Sequence, residues 1–381
     1  MPSFGFSTAG RILFGRGQAE EAAGIAAGHG RRVLLVRGRS VPWVDRLEDQ
    51  LDAAGCSVIR VAARGEPTVE QVEAAVDRAR AEGCDVVVAV GGGTVIDLGK
   101  AVAAIAPGRG ALMDHLETVG GGRPLEAAPL PFVALPTTAG TGSEVTRNAV
   151  IGVPEARRKV SLRDDRMLAD VAIVDPALTD HAPASVTFAS GLDAVVQVIE
   201  PYLSRRANPL TDALCRDAIP RGLRALARLA QAEDATARDE MAYVSLCGGL
   251  ALANAGLGAV HGLAGVIGGR HDAPHGVICG RLLGPVLSAN RGAVANTGGD
   301  LARFDAVERW IATELALPSQ SGAADLADWL DARGLPRLAQ WVPQEADLDA
   351  VATDAASASS MAANPVALSP PALIRAIRAA L

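Results

Sequence analysis

Short apolar runs, rich in β-branched residues, recur along the first half of the chain and alternate with longer segments of helical periodicity. The runs cover residues 33–36, 57–61, 85–90, 132–135 and 171–174. Thr68 is predicted to cap a helix that ends near Glu82. Since buried strands separated by helices pair in parallel, this half is predicted to form a doubly wound α/β sheet.

The pattern changes after Asp175-Pro176. From about Ala184 to the C-terminus the apolar positions follow helical spacing, and β-branched runs are almost absent. Together with Pro183, this change predicts an α/β domain over residues 1–182 and an all-α domain over residues 183–381.

Composition excludes several classes of function. Of the 381 residues, 49% are apolar and 21% charged, and the net charge of −7 comes without a basic block. Nucleic-acid binding and binding to anionic membranes are therefore not expected. Residues 241–269 carry no formal charge, but eight of them are glycine, so a buried helix pair is favoured over a membrane span.

Cysteine usage and the N-terminus indicate the cytoplasm. The five cysteines are scattered and lack CxxC spacing, so neither a disulfide framework nor a cysteine zinc site is expected. The first residues show no basic region followed by an apolar run, and no signal peptide is predicted.

A glycine run follows the strongest predicted strand. Gly91, Gly92 and Gly93 precede a helix that is predicted to open at Thr94. Glycines let backbone N–H groups approach a phosphate, and a helix N-terminus adds unsatisfied donors. The spacing matches neither GxGxxG nor a Walker A loop, so an ordinary strand-to-helix turn is the alternative.

A second segment, which we call the hydroxyl-rich loop (residues 135–148), also follows a buried strand. Its small and hydroxyl-bearing residues suit a polar ligand, although such clusters are common in loops. Loops at the ends of neighbouring parallel strands lie where open α/β sheets bind ligands.

The helical half contains a set of candidate metal ligands. Asp193 and Gln197 are spaced i,i+4 and share one helix face, while His261 and His275 lie in a segment poor in charge. A carboxylate with two imidazoles is ligand chemistry for a divalent transition metal. A structural role for each histidine in the core is the alternative.

Five segments resemble, in order and spacing, the iron-containing (group III) alcohol dehydrogenase family: GGGTVIDLGK, PTTAGTGSEVTRNAVI, IVDPALT, GLDAVVQVIE and GAVHGLAG with the later APHG. The resemblance implies a Rossmann-like nucleotide-binding domain, a helical domain, and an active site in the cleft between them. Dehydroquinate synthase shares this two-domain architecture. Members transfer hydride between NAD(P)H and a carbonyl, often with Fe²⁺ or Zn²⁺, and are commonly dimers or larger.

Carried over position by position, the resemblance implies a cofactor site along the α/β domain. Gly92, Gly93 and Thr94 would hold the pyrophosphate, and Asp97 would open the following helix near the nicotinamide. Further contacts would come from Thr137, Thr138, Thr141, Ser143, Asn148, Lys159, Leu178 and Thr179.

The resemblance also implies which residues would bind the metal. Asp193, His261 and His275 match three of the family's four ligands, and Gln197 stands where metal-dependent members place a histidine. Because a glutamine oxygen is a weaker ligand than imidazole, the site either binds metal with reduced affinity or has lost it, as in the maleylacetate-reductase branch. Retention of the other three ligands favours metal.

A second departure concerns proton transfer. Many relatives carry a histidine four residues after His261, where this chain has Gly265. We predict that His271, four residues before His275, partly replaces it as a catalytic group, and that His275 orients the substrate oxygen through the metal. An exposed loop position is the alternative for His271.

The preferred nucleotide is predicted from the end of the first strand. NAD-specific relatives usually carry an aspartate where this chain has Gly38, flanked by Arg37 and Arg39. Without that carboxylate, and with two guanidiniums nearby, NADP(H) is favoured over NAD(H).

The expected function is that of a cytoplasmic, homodimeric NAD(P)-dependent alcohol dehydrogenase or carbonyl reductase acting on a small molecule. Aromatic residues make up only 3% of the chain, which disfavours a large flat substrate. The alternatives are a metal-independent reductase like maleylacetate reductase, a lyase like dehydroquinate synthase, and a non-catalytic nucleotide-binding descendant.

Overall fold

The structure is a computed structural model that describes residues 3–38, 41–318, 321–342 and 347–381. The chain divides into two compact units. One is Ser7–Asp180, and the other is His181–Leu381 with the described part of Met1–Phe6. The predicted domain boundary, by comparison, lies between residues 182 and 183, and the prediction assigns the first six residues to the α/β domain.

Ser7–Asp180 is built on a parallel sheet with the strand order β1-β8-β5-β4-β2-β3. A separate antiparallel pair joins β6 to β7. The strands are β1 (Arg11–Phe14), β2 (Arg32–Arg37), β3 (Ser57–Ala62), β4 (Val86–Gly91), β5 (Phe132–Pro136), β6 (Asn148–Val153), β7 (Arg158–Arg163) and β8 (Val171–Val174). The helices of this unit are α1 (Ala22–His29), α2 (Trp43–Ala53), α3 (Val69–Ala81) and α4 (Gly93–Ile105).

Burial explains why most strands of this sheet could be predicted from the sequence. Every residue of β4 is buried, as are those of β5 and β8, because parallel strands covered on both faces are apolar throughout. The five predicted strands are confirmed, and Thr68 caps α3 by accepting a hydrogen bond from the Gln71 N–H at 3.3 Å. Strand β1 and the β6–β7 pair were not predicted.

The second unit is helical, as predicted. Its helices are α5 (Ala184–Leu203), α6 (Pro209–Leu229), α7 (Ala235–Ala255), α8 (Ala259–His271), α9 (His275–Asn296), α10 (Ala302–Glu314), α11 (Gly322–Asp331), α12 (Leu348–Ala356) and α13 (Pro370–Ala380). Within the described ranges, no single helix is long and apolar enough to span a membrane. Only α7 and α8 together meet that criterion, as a pair bent by 100°.

Candidate functional site

The turn after β4 presents an uncapped helix N-terminus. Helix α4 begins at Gly93, one residue before the predicted start, and Gly92 is its N-cap residue. No side chain caps this end, and its first turn contains no acidic residue. The first N–H groups of α4 and the positive end of its dipole therefore suit an anionic group such as a phosphate.

The predicted hydroxyl-rich loop packs directly on this turn. Strands β4 and β5 are neighbours, and Thr137 N–H donates to the Gly91 carbonyl at 2.9 Å. A Cβ atom at Gly93 would lie 2.8 Å from Thr141 Oγ1, and one at Gly92 would lie 3.1 Å from Thr138 Oγ1. The structure thus brings the two predicted cofactor segments together, and a larger residue at position 93 would force the Thr141 side chain to move.

A buried lysine on α4 ties the hydroxyl-rich loop to this helix. Lys100 lies on α4 with 1% of its surface exposed. Its Nζ donates hydrogen bonds to three oxygens: the Ser143 carbonyl at 2.6 Å, Thr146 Oγ1 at 3.0 Å and the Asn148 carbonyl at 2.9 Å. Since all three N–H donors are used within the protein, Lys100 fixes the loop's path rather than contacting a ligand.

Two buried carboxylates surround this ammonium group. Burial lowers the pKa of Lys100 to about 8, although Asp97 and Glu144 oppose the shift. Burial also raises the pKa of Glu144 to about 7 and that of Asp97 above its ordinary value. The cost of burying one charged group is thus partly offset by its neighbours of opposite sign.

Asp97 requires a correction. It was expected to open the helix, but α4 begins at Gly93 and Asp97 lies in its second turn. Its Oδ2 accepts a hydrogen bond from the Val150 N–H at 3.0 Å, while its buried Oδ1 meets no donor with hydrogen-bond geometry among the described residues. The nearby Ser143 side chain opposes the burial that raises the pKa of Asp97. The Oδ1 atom is an acceptor available to a bound amide such as that of a nicotinamide; the contact itself stays a prediction.

The other predicted cofactor residues are spread over this unit. Ser143 is buried and its hydroxyl donates to Thr141 Oγ1 at 2.9 Å. Lys159 lies on β7 with its Nζ 2.5 Å from Glu66 Oε2. Leu178 packs against the apolar core formed by the sheet with α1 and α2. The Thr179 hydroxyl donates a hydrogen bond to the Pro176 carbonyl at 2.8 Å.

The end of β2 gives less support to a phosphate site than the sequence suggested. Gly38 lies beside β4, since its N–H donates to the Val90 carbonyl at 3.1 Å. The Arg37 guanidinium, however, is 2.7 Å from Asp45 and 3.1 Å from Glu48, and these carboxylates raise its pKa. Arg37 is therefore already paired within the protein, and Arg39 lies outside the described residues.

In the helical unit, four potential ligand atoms converge. Asp193 on α5, His261 on α8, and His275 and Cys279 on α9 place one donor atom each within 4.8 Å of one another. We call these four residues the ligand cluster. His261 Nε2 is 3.1 Å and His275 Nε2 is 3.8 Å from Asp193 Oδ1. Asp193 and His261 are buried, whereas the His275 side chain is 35% exposed and marks the accessible side.

Glycines on α9 allow this convergence. A Cβ atom at Gly276 would lie 2.1 Å from the Ala189 carbonyl oxygen, and one at Gly280 would lie 2.7 Å from Leu192 Cδ1. Each glycine directly follows one of the α9 members of the cluster. Helix α9 can therefore approach α5 closely enough for side chains on both helices to share one ligand.

Glu200 orients His261 and was missed by the sequence reasoning. It lies on α5, and its Oε2 accepts a hydrogen bond from His261 Nδ1 at 2.7 Å. Its Oε1 accepts from the Val260 N–H at 2.7 Å at the start of α8. A carboxylate behind a metal-ligating histidine fixes the ring and directs the other nitrogen to the metal. The i,i+7 spacing of Asp193 and Glu200 was a usable signal.

The cluster is strongly polarised. Burial alone would lower the pKa of His261, but the hydrogen bonds to Asp193 and Glu200 raise it to about 10. Burial alone would raise the pKa of Asp193, but His275 and His261 hold it below its ordinary value. This buried pocket of negative charge favours occupation by a cation.

Comparison with known proteins decides the family. A family model described as iron-containing alcohol dehydrogenase matches residues 9–176, and the model of the C-terminal part of the Fe-containing alcohol dehydrogenase family matches residues 187–381. The chain belongs to the iron-containing alcohol dehydrogenase family. The family assignment made from the five sequence segments is confirmed.

Individual members of the iron-containing alcohol dehydrogenase family are similar over most of the chain. The 1,3-propanediol dehydrogenase of Citrobacter freundii is 36% identical over 302 residues, which cover 76% of each chain. The crystal structure of a 1,3-propanediol oxidoreductase matches with a TM-score of 0.85 at 30% identity and covers 100% of both chains. A sulfoacetaldehyde reductase from Bifidobacterium kashiwanohense, solved with NAD⁺, has a TM-score of 0.84 at 27% identity and covers 100% of this chain and 99% of that one.

As a member of this family, the protein is an oxidoreductase that transfers hydride between a nicotinamide cofactor and a small alcohol, aldehyde or ketone. The lyase and the non-catalytic alternatives are thereby set aside. The positions Gln197, Gly265 and His271 bear on the predicted metal site and on the predicted proton relay.

The predicted fourth ligand, Gln197, is buried on α5 and packs along α7. A Cβ atom added at Gly248 on α7 would lie 3.4 Å from the Cβ and Cγ atoms of Gln197 and 3.2 Å from its Nε2. The thiol of Cys279 is 3.6 Å from His275 Nε2. Sequence reasoning missed Cys279, although its i,i+4 spacing from His275 on one helix was visible.

The proton relay stays a prediction. A Cβ atom at Gly265 would meet no heavy atom of the described residues within 4 Å, so the space beside this position is open. His271 ends α8, about 15 Å along the helix axis from His261. Its Nε2 is buried and has no hydrogen-bond partner among the described residues, and burial lowers its pKa. His271 is not a member of the ligand cluster.

Proposed function

We propose that this dehydrogenase interconverts a small polar alcohol and its aldehyde or ketone, with a divalent metal ion held by Asp193, His261 and His275. The observation that carries the proposal is the convergence of these three ligand atoms in a buried site whose accessible side is formed by His275. When bound, such an ion would act as a Lewis acid toward the substrate oxygen. In the reductive direction, carbonyl compound, NAD(P)H and one proton give alcohol and NAD(P)⁺.

The side chains around the site have separate tasks. Asp193 supplies negative charge, which offsets part of the charge of a dication. Glu200 accepts a hydrogen bond from the Nδ1–H of His261 and leaves Nε2 as the ligating atom. These groups are held by helices, so their geometry is set before substrate binds.

For the cofactor, we propose that the pyrophosphate lies at the start of α4. The uncapped N-terminus, the close approach at Gly93 and the absence of acidic residues in the first turn support this position. The hydroxyl-rich loop supplies hydroxyl groups beside it. The nicotinamide amide is a suitable donor for the unpartnered Oδ1 of Asp97.

We further propose that NADPH is preferred to NADH. The support is the absence of a carboxylate at Gly38, since an acidic residue there would repel a 2′-phosphate. Arg37 adds less than its sequence position suggests, because Asp45 and Glu48 already bind it. Fluorescence titration with both nucleotides tests the preference; tighter binding of NADH would overturn it.

The metal part of the proposal is tested by turnover and metal analysis together. NADPH oxidation is followed with a panel of small aldehydes and ketones, before and after EDTA treatment and after Zn²⁺ or Fe²⁺ is restored. Asp193→Ala should lose metal and turnover while nucleotide affinity stays unchanged, whereas Asp305→Ala, an exposed acidic residue on α10, should behave as the unmodified protein. A metal-free enzyme that is indifferent to EDTA would favour the metal-independent branch instead.

The expected homodimer and the cytoplasmic location stay predictions. Sedimentation of the purified protein tests the first, and fractionation of the cells that produce it tests the second.

A further inference from the structure

The ligand cluster contains a thiol at a position where the sequence alone suggested none. Cys279 Sγ is 3.6 Å from His275 Nε2 and within 4.8 Å of the donor atoms of Asp193 and His261. A tetrahedral metal with bonds of about 2.0–2.3 Å places its donor atoms about 3.3–3.8 Å apart. The observed spacings of 3.1, 3.6 and 3.8 Å are close to that range.

The backbone fixes the position of this thiol. His275 and Cys279 are four residues apart on α9, so they project from the same helix face. Gly276 brings that face against the backbone of α5 at a distance that no larger residue would allow, and a larger residue at Gly280 would force the Leu192 side chain to move. Cys279 is fully buried, and its approach to Asp193 therefore follows from helix packing.

Gln197 shares the α5 face with Asp193, and its side chain also lies against Gly248 of α7. A glutamine would offer a neutral oxygen, whereas a metal-bound cysteine is a thiolate, which is a stronger ligand for Zn²⁺. The chain thus contains a better donor than Gln197 within the same cluster.

We propose that Cys279 supplies the fourth metal ligand in place of Gln197, giving an Asp193–His261–His275–Cys279 site. This inference rests on the proposed metal function of the other three residues. The thiol proton leaves to solvent when the metal–sulfur bond forms. Two anionic ligands then neutralise a dication, and the sulfur donor shifts the preference from Fe²⁺ toward Zn²⁺.

The test is the absorption spectrum of the protein loaded with Co²⁺. A cobalt–thiolate bond gives an intense charge-transfer band in the near ultraviolet, which nitrogen and oxygen ligands do not produce. We expect this band in the unmodified protein and its loss in Cys279→Ser. The matched control is Cys215→Ser, since Cys215 is an equally buried cysteine on α6 outside the ligand cluster. The Co²⁺-loaded Cys215→Ser variant should show the same charge-transfer band as the unmodified protein.

A second variant keeps the proposal falsifiable if Cys279→Ser folds poorly. Gln197→Ala should leave the charge-transfer band and Zn²⁺ affinity nearly unchanged. Because even the partners behind a metal ligand are worth about 10–100-fold in affinity, Cys279→Ser should weaken Zn²⁺ binding by about 100-fold or more.

The two proposals fail in different ways. Stoichiometric Co²⁺ binding without a charge-transfer band, together with weakened binding in Gln197→Ala, would overturn the role of Cys279 and leave the metal function intact. Failure of the unmodified protein to bind Co²⁺ or Zn²⁺ at all, combined with NADPH-dependent turnover, would overturn both the ligand assignment and the metal function.

Discussion

Replacing Lys100 with methionine should destabilise the cofactor-binding unit in a pH-dependent manner. Methionine has a similar length but removes the ammonium group that donates to Ser143, Thr146 and Asn148. It also leaves the buried carboxylates of Asp97 and Glu144 without their cation. The hydroxyl-rich loop would then lose the contacts that tie it to α4.

The expected magnitude follows from these contacts. Three hydrogen bonds to a charged group, at about 1.5–3 kcal/mol each, set an upper limit because contributions within one network are not additive. Removal of one partner from a buried ion pair costs about 3–5 kcal/mol. Because the pKa of Lys100 is lowered to about 8, about half of its charge remains at pH 8, and the loss we expect there in the free energy of unfolding is about 3 kcal/mol, at the lower end of that range. That is a large share of the total stability of about 5–15 kcal/mol that is usual for a protein domain.

The pH dependence has a definite sign. The pKa of Glu144 in the folded protein is raised to about 7, so the fold prefers its neutral form and stability falls as pH rises from the unfolded value of 4.5 toward 7. Without Lys100 this pKa rises further, and the fall continues above pH 7 by up to about 1.4 kcal/mol per pH unit. The difference between Lys100→Met and the unmodified protein should therefore be smaller at pH 6 than at pH 8.

Urea unfolding followed by circular dichroism at both pH values measures the difference, and hydrogen exchange of peptides from the hydroxyl-rich loop locates it. The matched control is Lys159→Met, which removes the only other lysine. Its ion pair with Glu66 is partly exposed, so its loss should cost about 0–1 kcal/mol. The reasoning is refuted if Lys100→Met stays within about 1 kcal/mol of the unmodified protein at pH 8, or if the difference does not grow with pH.

Three further substitutions test other parts of the site. Glu200→Gln should weaken Zn²⁺ binding by about 10–100-fold, because the neutral amide no longer provides the carboxylate that orients His261. Unchanged affinity in a competitive chelator titration would contradict this expectation. Gly93→Val should abolish NADPH binding in a fluorescence titration, since its Cβ alone would lie 2.8 Å from Thr141 Oγ1, and normal binding would place the phosphate elsewhere. Gly38→Asp should raise the ratio of NADH to NADPH affinity, since its Cβ would lie 3.5 Å from the nearest atom of the described residues; an unchanged ratio would show that this position does not face the ribose.

The amino-acid sequence by itself determined the buried strands and the order of the cofactor segments. Residues 85–90 form an unbroken apolar run because β4 is covered on both faces, and such burial leaves a mark on consecutive positions. Strand β1 left no such mark, since it is four residues long and partly exposed at the sheet edge. Local patterns therefore predicted the central strands and the edge strand β3, and missed the shorter edge strand β1.

The family and three of the four members of the ligand cluster were also accessible from sequence, because Asp193, His261 and His275 occur within spaced motifs. The roles of Glu200 and Cys279 depend on contacts between residues far apart in the chain. The Glu200–His261 hydrogen bond joins two different helices, and so does the approach of Cys279 to Asp193. Only the packing of α9 on α5, which Gly276 and Gly280 permit, decides that a thiol reaches Asp193. The i,i+7 and i,i+4 spacings place Glu200 and Cys279 on the same helix faces as Asp193 and His275, but the distances to side chains on other helices are set by the tertiary structure alone.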